Sequence, residues 1–228
     1  AAVSVMLIRA GVSPIATLPI AFLAGALAGM VTGLLNTALG IPGILASILT
    51  QISLYSINLN IMGKANQPVS VDNYPLVVSL RYVTDGSVSR LLFFLGMIVF
   101  LLALIAVMYW YFGTEQGHAI RATGCNSNMA RAQGINTNFI KVLALMISNG
   151  LVGLCGALYG QFQGAADVNM GRGAIVIGLA AVIIGEVLFG KFASKRKLAF
   201  AFTLASVILG AVIYYMVYQF VLWLKMPS

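Results

Sequence analysis

The sequence predicts an all-α, polytopic integral membrane protein, folded as a helical bundle with glycine-rich packing faces. Of its 228 residues, 61% are hydrophobic and only 8% are charged, whereas a water-soluble domain carries roughly 25% charged residues. Several apolar runs reach the roughly 20 residues that a helix needs to cross a hydrocarbon core. Two of these runs carry regularly spaced glycines, which favour close helix packing. We therefore predict one transmembrane domain over 1–228, with about six membrane segments and a partial N-terminal one.

The N-terminal part contains the end of one membrane helix and a first full span. Residues 1–8 have the composition of a membrane helix end, which Arg9 and the glycine and proline turn at 11–14 close. The run 15–39 follows as a span, and its glycines leave one face bare enough for another helix to approach closely. These glycines are Gly25, Gly29 and Gly33.

The next span, over 44–62, contains an unusual number of amide and hydroxyl side chains. Each unsatisfied polar group costs several kcal/mol in hydrocarbon, so such side chains face a bundle interior or a water-filled path. We predict that they line a translocation path together with polar residues of a later span. The alternative is hydrogen bonding between helices. The predicted path residues are Gln51, Ser53, Tyr55, Asn58, Asn60, Asn149, Tyr159, Gln161 and Gln163.

Later runs supply the remaining membrane segments. The run 91–112 ends in aromatic residues, which is typical of rings at headgroup level, and 139–162 carries a second glycine face. The run 174–189 has only sixteen residues, so we predict either a short span or a re-entrant helix there. The last span is predicted over 198–224. The glycines of the second face are Gly150, Gly153, Gly156 and Gly160.

Basic residues determine the predicted orientation. Four of the thirteen Lys and Arg residues lie within 191–197, a density that places this loop in the cytoplasm under the positive-inside rule. If 174–189 spans the membrane, alternation then puts 113–138 in the cytoplasm and the connection 63–90 outside, where a short hairpin or surface helix is predicted. The formal charge of +8 is thus assigned to orientation and anionic headgroups, and nucleic-acid binding is excluded.

The ionisable residues exclude the common catalytic sites. His118 is the single histidine and has no Cys or carboxylate cluster at ligand spacing, which excludes a zinc site and a catalytic triad. No GxxxxGK(S/T) motif occurs, so no P-loop for ATP is present. Of the acids, only Glu186 lies within an apolar run. We interpret it as an interfacial carboxylate near the basic loop, which argues against ion coupling.

The polar segment at 113–138 interrupts the apolar sequence and is the candidate functional segment. We predict two short helices, over 114–123 and 126–133, each ended by a left-handed glycine. These glycines are Gly124 and Gly134.

The side chains of the polar segment favour a protein partner. Asn126 and Ser127 both suit the N-cap of the second helix, and Arg131 is predicted to project its charge into the cytoplasm. A loop lying on the lipid headgroups is the alternative. The segment offers only Ile120, Met129 and Ile135 for insertion into lipid, so we favour a compact helix that fits a groove on another subunit.

Two stretches resemble a known family of transporters. The first stretch, at 121–164, reads RATGCNSNMARAQGINTNFIKVLALMISNGLVGLCGALYGQFQG. It resembles the permease subunits of bacterial ABC importers in the branched-chain amino acid, ribose and simple-sugar group. The second stretch, at 54–68, reads LYSINLNIMGKANQP. It resembles the subgroup of this family for aromatic amino acids, of tryptophan or tyrosine type. Together the two stretches and their surroundings cover most of the chain.

The resemblance implies a subunit of an importer in the bacterial cytoplasmic membrane. Its solute would be small and polar, an amino acid and in the subgroup an aromatic one, with a sugar or nucleoside as the alternative. The implied partners are a second permease subunit in a homodimer, two cytoplasmic ATPase subunits that hold ATP and Mg²⁺, and an extracytoplasmic substrate-binding protein or lipoprotein. The chain itself would hold no cofactor and catalyse no reaction.

The resemblance also assigns the polar segment to ATPase coupling. The positions that match the motif are Arg121, Ala122, Gly124, Asn126, Ala130, Arg131, Gly134, Ile135 and Asn136. An ion-coupled secondary transporter or channel remains the alternative function, because the polar span 44–62 would also suit such a path. A membrane scaffold without transport activity is the third.

Overall fold

The computed structural model describes residues 1–69, 76, 87–171, 173–193 and 199–224. In these ranges the chain forms α-helices and two short strands. The elements are α1 (Ala2–Arg9), α2 (Pro14–Thr37), α3 (Gly43–Met62), β1 (Asn66–Pro68), α4 (Ser87–Phe112), α5 (Glu115–Cys125), α6 (Ser127–Ala132), α7 (Thr137–Gln163), β2 (Ala165–Asp167), α8 (Ala174–Ala193) and α9 (Ala199–Trp223).

The helices confirm the membrane class. Among the described residues, five helices are long and apolar enough to cross a membrane: α2, α3, α4, α7 and α9. The helix predicted over 174–189 extends to Ala174–Ala193, which is 20 residues. Whether it spans or re-enters stays a prediction. The loop residues 194–198 and the C-terminal residues 225–228 lie outside the described residues, and so does most of the predicted connection 63–90.

The chain divides into two compact units, of which the first contains residues 1–96 and 114–170. In this unit α2 and α7 pack antiparallel, with their backbones in direct contact. A Cβ atom at Gly29 would lie 2.8 Å from the carbonyl carbon of Leu145, and one at Gly33 would lie 2.9 Å from the Cα of Val142. Since real Cβ atoms do not approach this closely, only glycine fits there. The predicted glycine face of α2 is therefore confirmed.

The second glycine face meets two helices. Gly153 packs on α2, where an added Cβ would lie 2.5 Å from the carbonyl oxygen of Ala21. Farther along α7, Gly156 and Gly160 instead face the residue Ala1 that precedes α1. The predicted packing role of this face is confirmed.

A short antiparallel ladder joins the ends of α3 and α7. In it β1 pairs with β2, in the register Asn66 to Asp167, Gln67 to Ala166 and Pro68 to Ala165. A hydrophobic cluster beneath it contains Ala2, Val5, Ile8, Met62, Val69, Leu76 and Ala166. The described part of the connection 63–90, for which a short hairpin or a surface helix is predicted, thus contains a strand that pairs with residues far away in the chain.

The second unit contains residues 97–113 and 171–228, and it is built on another antiparallel helix pair. Here α8 and α9 meet where an added Cβ at Gly185 would lie 2.8 Å from the carbonyl carbon of Ser206. One at Gly210 would lie 2.7 Å from the backbone nitrogen of Gly185. Glu186, the next residue along α8, is exposed.

Candidate functional site

The polar segment folds as two capped helices, α5 and α6, which both pack on α7. Thr114 begins α5, and its Oγ1 accepts a hydrogen bond of 3.4 Å from the backbone N–H of Gly117. Asn126 begins α6, and its Oδ1 accepts from the N–H groups of Asn128 and Met129, both at 3.1 Å. Of the two predicted N-cap residues, Asn126 is confirmed, whereas Ser127 is the first residue of α6.

Of the two predicted glycine stops, one is confirmed and one is wrong. Gly134 has φ +83°, and the hydrogen bonds around it end α6 in a Schellman motif. The Gly134 N–H donates to the Arg131 carbonyl at 3.0 Å, and the Ile135 N–H donates to the Ala130 carbonyl at 3.1 Å. Gly124, by contrast, lies inside α5, which ends only at Asn126 with φ −153°. The N-cap preference of Asn126 for the next helix ends α5, so no left-handed residue is needed.

The predicted coupling residues lie on α5, on α6 and in the turn between α6 and α7, and most are open to solvent. Exposed are Arg121, Ala122, Gly124, Asn126, Arg131, Gly134 and Asn136, whereas Ile135 is half-buried. Ala130 is only 3% exposed and anchors α6 on the bundle. The Asn136 Oδ1 accepts a hydrogen bond of 3.2 Å from the Phe139 N–H and so caps α7.

Arg131 does not simply project into solvent, as the sequence predicted. Its Nη2 and Nε both donate to the Thr137 hydroxyl oxygen, at 3.1 and 3.4 Å. Thr137 is the first residue of α7 and is 2% exposed. The guanidinium therefore connects α6 to the start of α7.

Met129 and Phe139 are exposed apolar residues that the sequence did not assign to the site. Their side chains are 61% and 59% exposed. The exposure of Met129 follows from the rotation of α6, which the burial of the adjacent Ala130 fixes. Composition identified Met129 as one of the few large apolar residues of the segment, but not the direction in which it points.

The predicted path residues on α3 lie on two sides of the helix. At a spacing of i, i+4 and i+7, Gln51, Tyr55 and Asn58 share one face. Ser53 and Asn60 share another face, on roughly the opposite side. Asn58 is half-buried and the other four are exposed. A single path can therefore be lined by one of these groups only, and Ser53 already donates to its own helix, at the Leu49 carbonyl.

On α7, Gln161 differs from the other predicted path residues. It is 1% exposed, and its Nε2 donates to the Pro14 carbonyl and to Thr17 Oγ1, both at 3.2 Å. Thr17 in turn lies 2.9 Å from the hydroxyl of buried Ser4. For Gln161 the structure therefore favours the helix-to-helix alternative.

The remaining path candidates on α7 are less buried. Asn149 is half-buried and bonds within its own helix, to the Leu145 carbonyl at 2.9 Å. Tyr159 and Gln163 are exposed, and the Gln163 amide donates to the Tyr159 hydroxyl at 2.7 Å. These two groups leave polar surface at the end of α7 opposite the polar segment.

Other functional chemistry is not found in the described ranges. They contain no group of three His, Cys, Asp or Glu residues placed to hold a metal ion. Cys125 and Cys155 are both free and exposed. His118 hydrogen-bonds through Nδ1 with the Thr114 carbonyl oxygen of its own helix, at 2.8 Å.

Comparison with known proteins identifies the family. The family model described as the permease component of a branched-chain amino acid transport system matches residues 1–228. The chain is 38% identical over 218 residues to a tyrosine transport system permease protein of Clostridioides difficile, with 96% of this chain and 68% of that protein covered. No solved structure matches the chain.

More distant relatives belong to other import systems. The autoinducer 2 import system permease protein LsrC of Yersinia pseudotuberculosis is 28% identical over 226 residues, which cover 98% of this chain and 59% of that protein. The inner membrane ABC transporter permease protein YjfF of Escherichia coli is 25% identical over 178 residues, which cover 78% and 53%. The chain thus spans 53% to 68% of the length of these relatives. Its membrane-length helices and the match over all its residues show that it belongs to the family of branched-chain amino acid transport permeases, multi-pass proteins of the bacterial inner membrane.

Proposed function

We propose that this chain is the membrane subunit of an ATP-driven importer, and that the polar segment receives the movement of separate ATPase subunits. The carrying observation is that α5 and α6 each begin at a side-chain cap, are largely exposed, and pack on α7. Capping leaves few backbone groups of these helices in need of water, so the surface can be covered by a partner at low cost.

The helix packing supports transmission of movement from this surface. The 27 residues of α7 extend about 40 Å at 1.5 Å per residue, from the polar segment to the β1 and β2 ladder. Direct backbone contact at Gly29 and Gly33 holds α7 against α2. Closure of the ATPase subunits, which hold ATP and Mg²⁺, would move α7 and α2 together between outward-open and inward-open states.

We further propose an amino acid as the solute, and an aromatic one first. The support is the 38% identity to a tyrosine transport system permease protein. A sugar or nucleoside is the alternative, since an autoinducer 2 import permease is also a relative. An extracytoplasmic binding protein or lipoprotein would deliver the solute to a homodimer of this chain and provide most of the selectivity.

For the path, we propose the face of α3 that carries Gln51, Tyr55 and Asn58. Their side chains make no hydrogen bond within the described ranges, and Asn149, Tyr159 and Gln163 of α7 would join them. Single cysteines at these positions, introduced after removal of Cys125 and Cys155, should react with thiol reagents in a nucleotide-dependent manner. Cysteines at Ser53 and Asn60 serve as controls from the other face. Equal labelling of both faces in every nucleotide state would contradict this assignment.

The coupling proposal is tested with Ala122→Trp, because Ala122 lies on the exposed face of α5. The bulky ring should prevent a close fit of the ATPase without affecting the fold. We expect loss of the purified permease and ATPase complex and of substrate-stimulated ATP hydrolysis. Ala122→Ser, which keeps the side chain small, should retain both. Full complex formation and uptake by Ala122→Trp would disprove the docking surface.

An ion-coupled transporter or channel is favoured by one observation, the exposed amides on α3. Such a protein needs no ATPase. Uptake into liposomes that contain this chain alone, driven by an ion gradient, would support it over the importer. Uptake that requires ATPase subunits and ATP would exclude it.

A further inference from the structure

Arg131 and Thr137 form the direct side-chain bond between the polar segment and the helix that runs through the bundle. Two neighbouring nitrogens of one guanidinium, Nε and Nη2, point at a single hydroxyl oxygen. The donor carries a charge, which makes such hydrogen bonds stronger than neutral ones. Thr137 is almost completely buried, so its hydroxyl is fixed in place.

The position of this bond matters because little else joins α6 to α7. Between Ala132 and Thr137 the chain runs through the left-handed turn at Gly134 and the cap residue Asn136. The backbone bonds of this turn fix its own shape, while Ala130 supplies the apolar contact of α6. The guanidinium adds a polar contact across the turn. Its loss would leave only the turn and the contact of Ala130 to resist tilting of α6.

We propose that Arg131 is a positioning residue, which holds α6 at a fixed angle to α7 so that displacement of the polar segment is passed to α7. Contact with the ATPase then falls to the side chains of α6 that face away, Asn128, Met129 and Ala132, which are exposed. This inference rests on the proposed importer function. It departs from the motif-based assignment, in which Arg131 is itself a docking residue.

The test is a double-mutant cycle with Arg131→Lys and Thr137→Val in the assembled importer. Lysine keeps the charge but lacks the planar fork, and valine keeps the shape of threonine but lacks the oxygen. We expect each single variant to bind the ATPase within about twofold of the native chain, yet to transport about fivefold less solute per ATP hydrolysed. The double variant should be no worse than either single one, because both remove the same bond.

Two control variants complete this experiment. Thr137→Ser keeps the acceptor oxygen and should restore native coupling. Thr37→Val removes a hydroxyl whose hydrogen bond stays within α2, to the Gly33 carbonyl at 2.8 Å, and should leave the solute transported per ATP unchanged. Additive losses in the double variant would overturn the proposal. Weaker ATPase binding by Arg131→Lys but not by Thr137→Val would also overturn it, since Arg131 would then be a contact residue.

A second measurement separates this inference from the importer function itself. Spin labels at Ala132→Cys on α6 and Val152→Cys on α7, both exposed positions, report the angle between the helices in the chain alone, once Cys125 and Cys155 are serine. The distance distribution should be narrow in the native background and broader in Arg131→Lys and Thr137→Val. If it stays narrow in both, Arg131 does not position α6. If it broadens but the unlabelled native chain binds no ATPase, the positioning role stands and the importer function fails.

Discussion

The two ends of α7 use polar side chains in opposite ways. At the end that carries the polar segment, Asn126 and Asn136 cap their own helices and stay exposed. At the other end, Gln161 is buried and bonds to α2, at Pro14 and Thr17. Local capping leaves a surface that a partner can cover. Hydrogen bonds between helices pair the polar groups with each other, so these groups are not available to a partner or solute.

The difference shows that a polar residue in an apolar chain does not by itself indicate a functional surface. Gln161 and Gln163 are two positions apart in the same helix, yet one is buried and the other exposed. Positions that are two apart in a helix point in directions about 200° apart. The side on which α2 packs therefore decides which glutamine is structural and which can meet a solute or partner.

The largest effect is expected from a substitution that disrupts the close packing of α2 against α7. In Gly29→Leu, the new side chain would overlap the backbone of α7 at Leu145, which cannot move away without separating the helices. We expect at least about 3 kcal/mol of lost stability, beyond usual overpacking, and little folded protein in detergent by size-exclusion chromatography. The matched control is Gly96→Leu on α4, where an added Cβ meets nothing within 4 Å. Normal yield of Gly29→Leu would contradict the close packing of α2 and α7.

A smaller effect is expected at the turn that ends α6. In Gly134→Ala, a side chain is forced into the left-handed region at φ +83°, which costs about 1–2 kcal/mol. Gly124→Ala is the control, because Gly124 lies inside α5 and alanine there should stabilise by about 0.5–1 kcal/mol. Thermal unfolding in detergent measures both. Changes of equal sign would mean that the two glycines do not differ in backbone conformation.

The cap of α7 should contribute slightly less than the turn. In Asn136→Ala, the Phe139 N–H loses its acceptor, at a cost of about 1 kcal/mol. Asn136→Asp, which retains an acceptor oxygen, should recover most of the loss. Amide hydrogen exchange in the first turn of α7 reports the effect locally. Unchanged protection in Asn136→Ala would show that the cap is not formed in solution.

The smallest expected effect lies at the buried end. Gln161→Leu removes the hydrogen bonds to Pro14 and Thr17, and side-chain bonds between membrane helices are worth about 0.6 kcal/mol on average. Gln163→Leu, at an exposed position, should change stability by less than about 0.5 kcal/mol. Thermal unfolding of both variants gives the comparison. A larger loss for Gln163→Leu would reverse the assignment of the two glutamines.

Much of the fold was predictable from local patterns. The five membrane-length helices match apolar runs to within a few residues, except that α4 begins at Ser87 rather than at residue 91. The glycine face of α2 was visible from its spacing. In the second unit, however, α8 and α9 meet closely with one glycine from each helix at the contact, Gly185 and Gly210. Regularly spaced glycines are therefore not required for such packing.

The candidate site was predictable in place but not in detail. Composition located the polar segment, and cap preferences identified Asn126 as a helix start. The same preferences failed at Gly124, because a glycine after a helical run can stay within the helix when the next residues provide a stronger stop. The local sequence pattern does not predict the hydrogen bond from Arg131 to Thr137.

The sequence by itself determined that this protein lies in a membrane, which segments form its membrane-length helices, and that the segment 113–138 forms short polar helices. The transfer free energy and the backbone preference of each residue depend mainly on its own type, so a short stretch of sequence is enough to predict them. Only the tertiary structure decided that β1 pairs with β2, that Gln161 turns inward, and that Arg131 reaches the start of α7. These pairings depend on how each helix is rotated about its own axis, and that rotation is fixed by contacts between residues far apart in the chain.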